Sequence, residues 1–241
     1  MGHPRRIELT PRLQAAADWV PEGAKLADVG TDHAYLPAWL VQNGRVSSAI
    51  ASDLRKGPLE KAGETCRRFG VEGIDLRLCN GLSGIGPEEA DTIVIAGMGG
   101  ENIAAILEAA PWTADGEHTL ILQPMSRVEV LRAFLADHGY AIQREAVVPE
   151  RGTLYPLMLV TAGKMTLSLG QVYGGAKLLH DPMGDRYLIG RILQYQGAVA
   201  GCSRGSASGP EGKKQADQLR DIITALLEMR EEWRRANCPG N

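Results

Sequence analysis

Residues 26–37 read Leu-Ala-Asp-Val-Gly-Thr-Asp-His-Ala-Tyr-Leu-Pro, and no other stretch limits the possible folds of this chain as sharply. An apolar run from Ala24 to Val29 carries an acid, Asp28, near its end and breaks at Gly30. A polar turn follows, and a second apolar pattern begins. That order is a strand, a tight turn and a helix start, the place where α/β proteins open their ligand crevice. The turn holds one glycine and no G-x-G-x-x-G. A loop built to cradle a pyrophosphate brings more glycines and more exposed backbone N–H groups. Here two ionisable side chains, Asp32 and His33, stand at the strand tip instead, an arrangement suited to chemistry.

The same unit recurs along the chain. Thr10-Pro11 opens a helix through a cap and an N1 proline, continuing over Leu13, Ala16, Ala17 and Val20. Strands are expected at 24–29, 46–52, 74–78, 91–96 and 119–123, with helices at about 36–42, 58–69, 101–109 and 126–138 between and after them. A strand from Gly139 to Val148 then pairs with its return, Leu154 to Thr161. Short apolar strands without alternation imply a mostly parallel sheet covered on both faces. The closing hairpin, with no helix between its strands, gives the sheet an antiparallel final strand. After Gly163 the character changes. Tyr187, Leu188, Arg191, Ile192 and Tyr195 mark one helix, Gly201 to Gly212 reads as a linker, and Gln215 to Arg235 forms a long amphipathic helix. The expected division is an α/β domain over 1–163 and a C-terminal α-helical hairpin over 164–241.

Hydrophobic residues make up 44% and charged residues 23% of the 241, the balance of a globular domain. No run approaches the roughly 20 apolar residues that span a bilayer, and residues 1–10 lack the apolar core of a secretory signal. Cys66, Cys79, Cys202 and Cys238 are scattered without CxxC spacing, which argues against a metal site or a disulfide framework and for the cytoplasm. Residues 1–163 carry 15 Lys/Arg against 21 Asp/Glu, a net of −6, while residues 164–241 carry 11 against 8, a net of +3. A basic tail favours a polyanionic partner, although a solvated helix surface accounts for it as well.

Several residues stand where such a fold binds ligands. Asp53 ends the second strand, 25 residues beyond Asp28; an acid there accepts hydrogen bonds from ribose hydroxyls, or caps the following helix. Asn80-Gly81 follows the third strand, where an adenine would lie, though the pair also makes a simple turn. Gly97-Met98-Gly99-Gly100 follows the fourth strand, and its glycines permit close backbone approach to a flat ligand. Gln123-Pro124 at the tip of the fifth strand lines the same crevice or satisfies local backbone groups. Asp32, His33 and Tyr35 cluster at that crevice and are the candidate catalytic residues.

An antiparallel last strand on a sheet of this kind resembles class I S-adenosylmethionine-dependent methyltransferases. Asp-Val-Gly-Thr-Asp-His-Ala-Tyr-Leu-Pro (28–37), Ile-Ala-Gly-Met-Gly-Gly (95–100) and Leu-Ile-Leu-Gln-Pro (120–124) together resemble the bacterial tRNA (adenine(22)-N1)-methyltransferase family. The resemblance implies a Rossmann-like sheet, the cofactor S-adenosylmethionine, and methyl transfer to N1 of an adenine in the D-arm region of tRNA. It implies a cofactor site built from Asp28, Gly30, Thr31, His33, Asp53, Leu54, Asn80, Gly81, Gly97, Met98 and Gly99. Gly100, Gln123 and Pro124 would meet the substrate base, and Lys213, Lys214, Arg230, Arg234 and Arg235 would meet tRNA phosphates. No metal, membrane or obligate protein partner is expected. Asn80 stands where the family commonly has an acid, and Asp53 where it often has Glu. The alternatives are a class I methyltransferase with another RNA or small-molecule substrate, and a non-catalytic RNA- or cofactor-binding relative. A nicotinamide oxidoreductase is disfavoured by the missing glycine fingerprint.

Overall fold

The unalternated apolar runs pair into a single seven-stranded sheet. The computed structural model describes residues 6–202 and 210–238. Its strands are β1 (Leu26–Val29), β2 (Ala49–Asp53), β3 (Ile74–Leu78), β4 (Thr92–Gly99), β5 (Thr119–Ser126), β6 (Tyr140–Glu150) and β7 (Thr153–Ala162). They lie in the order β3-β2-β1-β4-β5-β7-β6. Neighbours from β3 to β5 run parallel, and β7 pairs antiparallel with β5. The expected antiparallel return is therefore present. A two-residue turn, Arg151-Gly152, joins β6 to β7 with both φ values positive (+50° and +84°), the geometry that matches the twist of a hairpin.

Both faces of the sheet are covered, as the unalternated strands require. All residues of β1 and β2 are buried. Helices α1 (Pro11–Trp19) and α2 (Tyr35–Gln42) bring Ala16, Ala17, Leu36 and Leu40 into a cluster with Leu26, Val94 and Ile121. Burying each such Leu, Ile or Val contributes about 1.5–3 kcal/mol. Helices α3 (Lys56–Phe69), α4 (Gly100–Glu108) and α5 (Val128–Asp137) follow β2, β4 and β5.

The strand order reverses at β1, whose two neighbours are β2 and β4. Val29 is level with Ser52 on one side and Ile95 on the other, so three strand tips open one crevice at the switch point.

Several local expectations change. Thr10 has an extended backbone and Pro11 stands at N1, but the Thr10 hydroxyl makes no capping bond. The Glu150 carboxylate serves that end instead, accepting the Arg12 N–H at 3.0 Å. β4 continues past Ala96 to Gly99, its register with β5 shifting at Ala96/Met98 and Met98/Gly99. β5 continues to Ser126 and takes in Pro124.

The described residues divide into two units, one comprising residues 6–144 and 148–165, the other comprising 145–147 and the described residues from Thr166 onward. The second unit contains α6 (Leu169–Gly174), α7 (Gly184–Cys202) and α8 (Pro210–Asn237). Sequence periodicity missed α6, whose six residues are too few to show it. Ser168 and Gln171 close a capping box at its start. Leu188, Ile192 and Tyr195 of α7 pack on Ile222 and Leu226 of α8. Gly201 and residues 210–212 of the expected linker are helical. Pro210 opens α8 at a position where its missing N–H costs nothing. Residues 203–209 of that linker lie outside the described residues.

Candidate active site

The β1–α2 loop is locked before any ligand arrives. The Gly30 and Thr31 N–H groups both donate to the Ser52 carbonyl of β2, at 2.8 and 2.9 Å. Thr31 Oγ1 accepts the Ala34 N–H at 3.1 Å, closing the turn that follows. Gly30 adopts φ +78°, and the space a Cβ would take is filled by the terminal methyl of Met98. Beneath the loop, Asp28 is buried. Burial raises its carboxyl to about 6, against a smaller opposing pull from the Thr31 hydroxyl.

Two cavities flank Met98 and share Gly30, Asp53 and Arg55. The first, of about 460 Å³, is walled by Ser52, Leu54, Asn80, Gly81, Asn102 and Ile106 among others. The second, of about 680 Å³, is lined by Arg12, Asp28, Thr31, Asp32, His33, Tyr35 and Gly97. Both volumes fall within the roughly 300–1,000 Å³ of small-molecule sites.

The first cavity suits a nucleoside. Asp53 is buried at the β2 tip, and one carboxylate oxygen accepts the Arg55 N–H at 2.7 Å, leaving the other for a ligand. Ser52 Oγ is buried and has no hydrogen-bond partner among the described residues. Ile106, Leu54 and Ala105 supply apolar wall. Gly81, at φ +58°, packs so closely on Ile106 that a side chain there would displace it.

The second cavity is charged. Arg12 reaches in from α1, its guanidinium donating to Gln123 Oε1 at 2.5 Å. The same oxygen accepts the Gly97 N–H at 3.2 Å, and the Gln123 amide donates to the Pro124 carbonyl at 2.9 Å. Arg12 Nε is buried and has no hydrogen-bond partner among the described residues. At the mouth, the His33 and Tyr35 rings stack with centroids 5.5 Å apart. His33 Nε2 lies 3.4 Å from Asp32 Oδ2, and the Asp32 side chain is 69% exposed. The cavity thus holds a cation, Arg12, on its inner side and the exposed Asp32 with the His33–Tyr35 stack on its solvent side.

Residues 9–158 match a family model described as a methyltransferase domain. A tRNA (adenine(22)-N(1))-methyltransferase of Bacillus subtilis (strain 168) is 39% identical over 176 residues, 70% of this chain and 74% of that protein. This chain belongs to the tRNA (adenine(22)-N1)-methyltransferase family. The crystal structure of the B. subtilis m1A22 tRNA methyltransferase TrmK superposes with a TM-score of 0.84 at 33% identity, covering 93% of this chain and 100% of that one. A Streptococcus pneumoniae protein solved in complex with S-adenosyl-L-methionine superposes with a TM-score of 0.80 at 35% identity, covering 92% and 100%.

Within this member of the family, the structure gathers Asp28, Gly30, Thr31, Asp32, His33, Tyr35, Asp53, Leu54, Asn80, Gly81, Gly97 and Met98 onto the two cavities. Gly99, Gly100, Gln123 and Pro124 line neither. Gly100 is buried against the Arg127 carbonyl, so its missing side chain serves helix packing rather than ligand approach. Gln123 and Pro124 are buried, and Gln123 spends its amide on Arg12, Gly97 and Pro124. In the second unit, Lys213, Lys214 and Arg235 are exposed. Arg230 donates to Asp185 at 2.6 Å, and Arg234 lies 3.8 Å from Glu231 and 3.9 Å from Asp185. Sequence reasoning missed Arg12, Ser52, Arg55 and Asn102. Asn102 and Arg55 follow strand-tip motifs closely enough to be found by extending each motif two residues; nothing local marks Arg12. Among the described residues no group of three or more His, Cys, Asp or Glu is placed to hold a metal, and no helix is long and apolar enough to cross a membrane.

Proposed function

We propose that this protein transfers the methyl group of S-adenosylmethionine to N1 of adenine 22 in the D-arm region of tRNA, giving 1-methyladenosine. The observation that carries this reading is the pair of cavities meeting at Met98. One offers the buried acid Asp53 and an apolar wall to a nucleoside; the other offers Arg12 beside an open mouth of Asp32, His33 and Tyr35. Asp53 would hold the cofactor ribose, Asn80 and Ile106 its adenine, and Arg12 its carboxylate. The cofactor supplies an electrophilic methyl on a sulfonium centre. Adenine N1 keeps an in-plane lone pair at neutral pH, so no base has to remove a proton first. The new N1–C bond forms as the C–S bond breaks, the bonding pair passes to sulfur, and the positive charge moves onto the purine. Positioning supplies much of the rate. His33 and Tyr35 orient the base, and the Asp32 carboxylate stabilises the charge that develops on it.

The target base has to leave its stack, and this requires RNA contacts beyond the crevice. Lys213, Lys214 and Arg235 of α8 are exposed cations suited to phosphate. We place the reaction in the cytoplasm, with tRNA. The test is transfer from labelled S-adenosylmethionine to unmodified bacterial tRNA, followed by nuclease digestion. Recovery of 1-methyladenosine, lost when adenine 22 is replaced, supports the reading. Cofactor binding with no incorporation into any tRNA refutes it.

A further inference from the structure

A second groove, of about 600 Å³, opens beside the crevice and is lined by Arg6, Glu8, Tyr35, Arg68 and Phe69. Tyr35 lines both this groove and the charged cavity, so the two are neighbours that meet at one side chain. Its two cations come from separate parts of the chain, Arg6 from the segment before α1 and Arg68 from the last turn of α3. Neither makes an ion pair among the described residues. The Arg68 guanidinium lies 5.3 Å from the centroid of the Phe69 ring, within cation–π range.

We infer that this groove holds the unstacked RNA strand flanking the target adenine, with Arg6 and Arg68 on phosphates and Phe69 and Tyr35 as stacking faces. The inference rests on the RNA-methylating reading above. Single-stranded RNA is recognised by aromatic stacking platforms set beside cations, and this groove provides both where the crevice mouth ends. Favourable interaction with the helix C-terminus accounts for Arg67 and Arg68 but not for Arg6, which is on no helix. Charge is also better placed here than on much of the tail. Arg230 and Arg234 face Asp185 within their own unit, whereas Arg6 and Arg68 have no ion-pair partner among the described residues and share the groove with one carboxylate, Glu8.

The test compares Arg6→Ala/Arg68→Ala with Arg67→Ala, which removes one charge from the same helical turn without lining the groove. tRNA binding is measured at two or more salt concentrations, the KM for tRNA is taken from methyl transfer, and S-adenosylmethionine affinity reports folding. The double variant should bind tRNA about 10- to 100-fold more weakly, with a raised KM and a salt slope smaller by roughly 1–2. Arg67→Ala should stay within about threefold of the parent, the scale of a single peripheral charge. Phe69→Ala should weaken binding without changing the salt slope. Unchanged tRNA affinity in a double variant that retains cofactor binding overturns the groove alone. An equal loss in Arg67→Ala overturns it as well, because the effect would then be general charge. A parent protein that binds cofactor but no tRNA overturns both the groove and the reading beneath it.

Discussion

Gly30→Ala tests the architecture of the crevice at its narrowest point. Gly30 has φ +78°, and placing an L-residue in the left-handed region costs about 1–2 kcal/mol. A Cβ there also collides with the Met98 methyl, so Met98 has to leave its rotamer at a further cost of about 0.5–1.5 kcal/mol. Restricting the unfolded chain returns about 0.4–1 kcal/mol. The net loss is about 0.5–3 kcal/mol, or roughly 1–12 °C in the melting temperature of a domain this size. Met98 can move only within the space between the two cavities, so S-adenosylmethionine affinity should fall by about tenfold or more. Calorimetric melting and titration of the purified variant measure both quantities. Gly30→Ala/Met98→Ala should recover the rotamer part alone, because removing Met98 leaves the backbone conformation unrelieved. A variant with parental stability and affinity, or complete recovery in the double variant, would refute the argument.

Asp32→Ala should lower turnover by about tenfold to a hundredfold while leaving cofactor affinity near parental, as expected for charge stabilisation confined to the transition state. Loss of cofactor binding in that variant sinks the role. Arg12→Ala should weaken S-adenosylmethionine binding by about 10- to 100-fold, the scale of a charge-assisted hydrogen bond to a carboxylate; titration calorimetry with an unchanged Kd would contradict it. Burial holds the Asp28 carboxyl at about 6 against an ordinary 3.8, so the folded chain binds this proton more tightly than the unfolded chain does. Stability from that difference is complete below the lower value and declines as pH rises toward about 6, by about 3 kcal/mol in all. Asp28→Asn should abolish this decline, and urea unfolding of both proteins across that range would expose a mistake if the difference between them did not vary with pH.

Much of this arrangement is legible in the sequence. β1 and β2 fall almost wholly within their apolar runs, because strands buried on both faces leave little room for polar residues. β3, the edge strand with Asp75 and Arg77 in it, matches its expected span end to end. Asp28, Asp53 and the 30–35 turn are found because strand tips at a switch point are where ligands bind. Gly97-Met98-Gly99-Gly100 is less transparent. Its three glycines have separate causes: a φ of +85° at Gly97, the nearness of Ser126 Oγ at Gly99 and the Arg127 carbonyl at Gly100. A run of identical residues conceals such differences, since each is set by another part of the fold. Arg12 is hidden for the same reason. In sequence it is one polar residue of a short amphipathic helix, and its role appears only when the buried Gln123, 111 residues away, fixes its guanidinium at the crevice. Glu150, which caps α1, is still more distant from Arg12 in sequence, at 138 residues.

Asp28 and Asp32 line the charged cavity together with Asp53, and the surroundings of the first two separate their roles. Asp28 is already desolvated, so its ionised form is disfavoured before any ligand arrives, and its charge counts against stability. Asp32 is in water. A cation about 4 Å from it is worth about 1 kcal/mol in bulk solvent and about 4 kcal/mol at the effective dielectric of a partly closed site. Its stabilising power therefore grows only as the RNA base covers the mouth and excludes water, at the moment the purine becomes positive. Interactions that strengthen at that point raise turnover instead of tightening the ground state. This is why the exposed acid rather than the buried one is assigned to the chemical step. The contrast is measurable: Asp32→Ala should act on kcat, and Asp28→Asn on stability. A reversal of those two patterns would exchange the assignments.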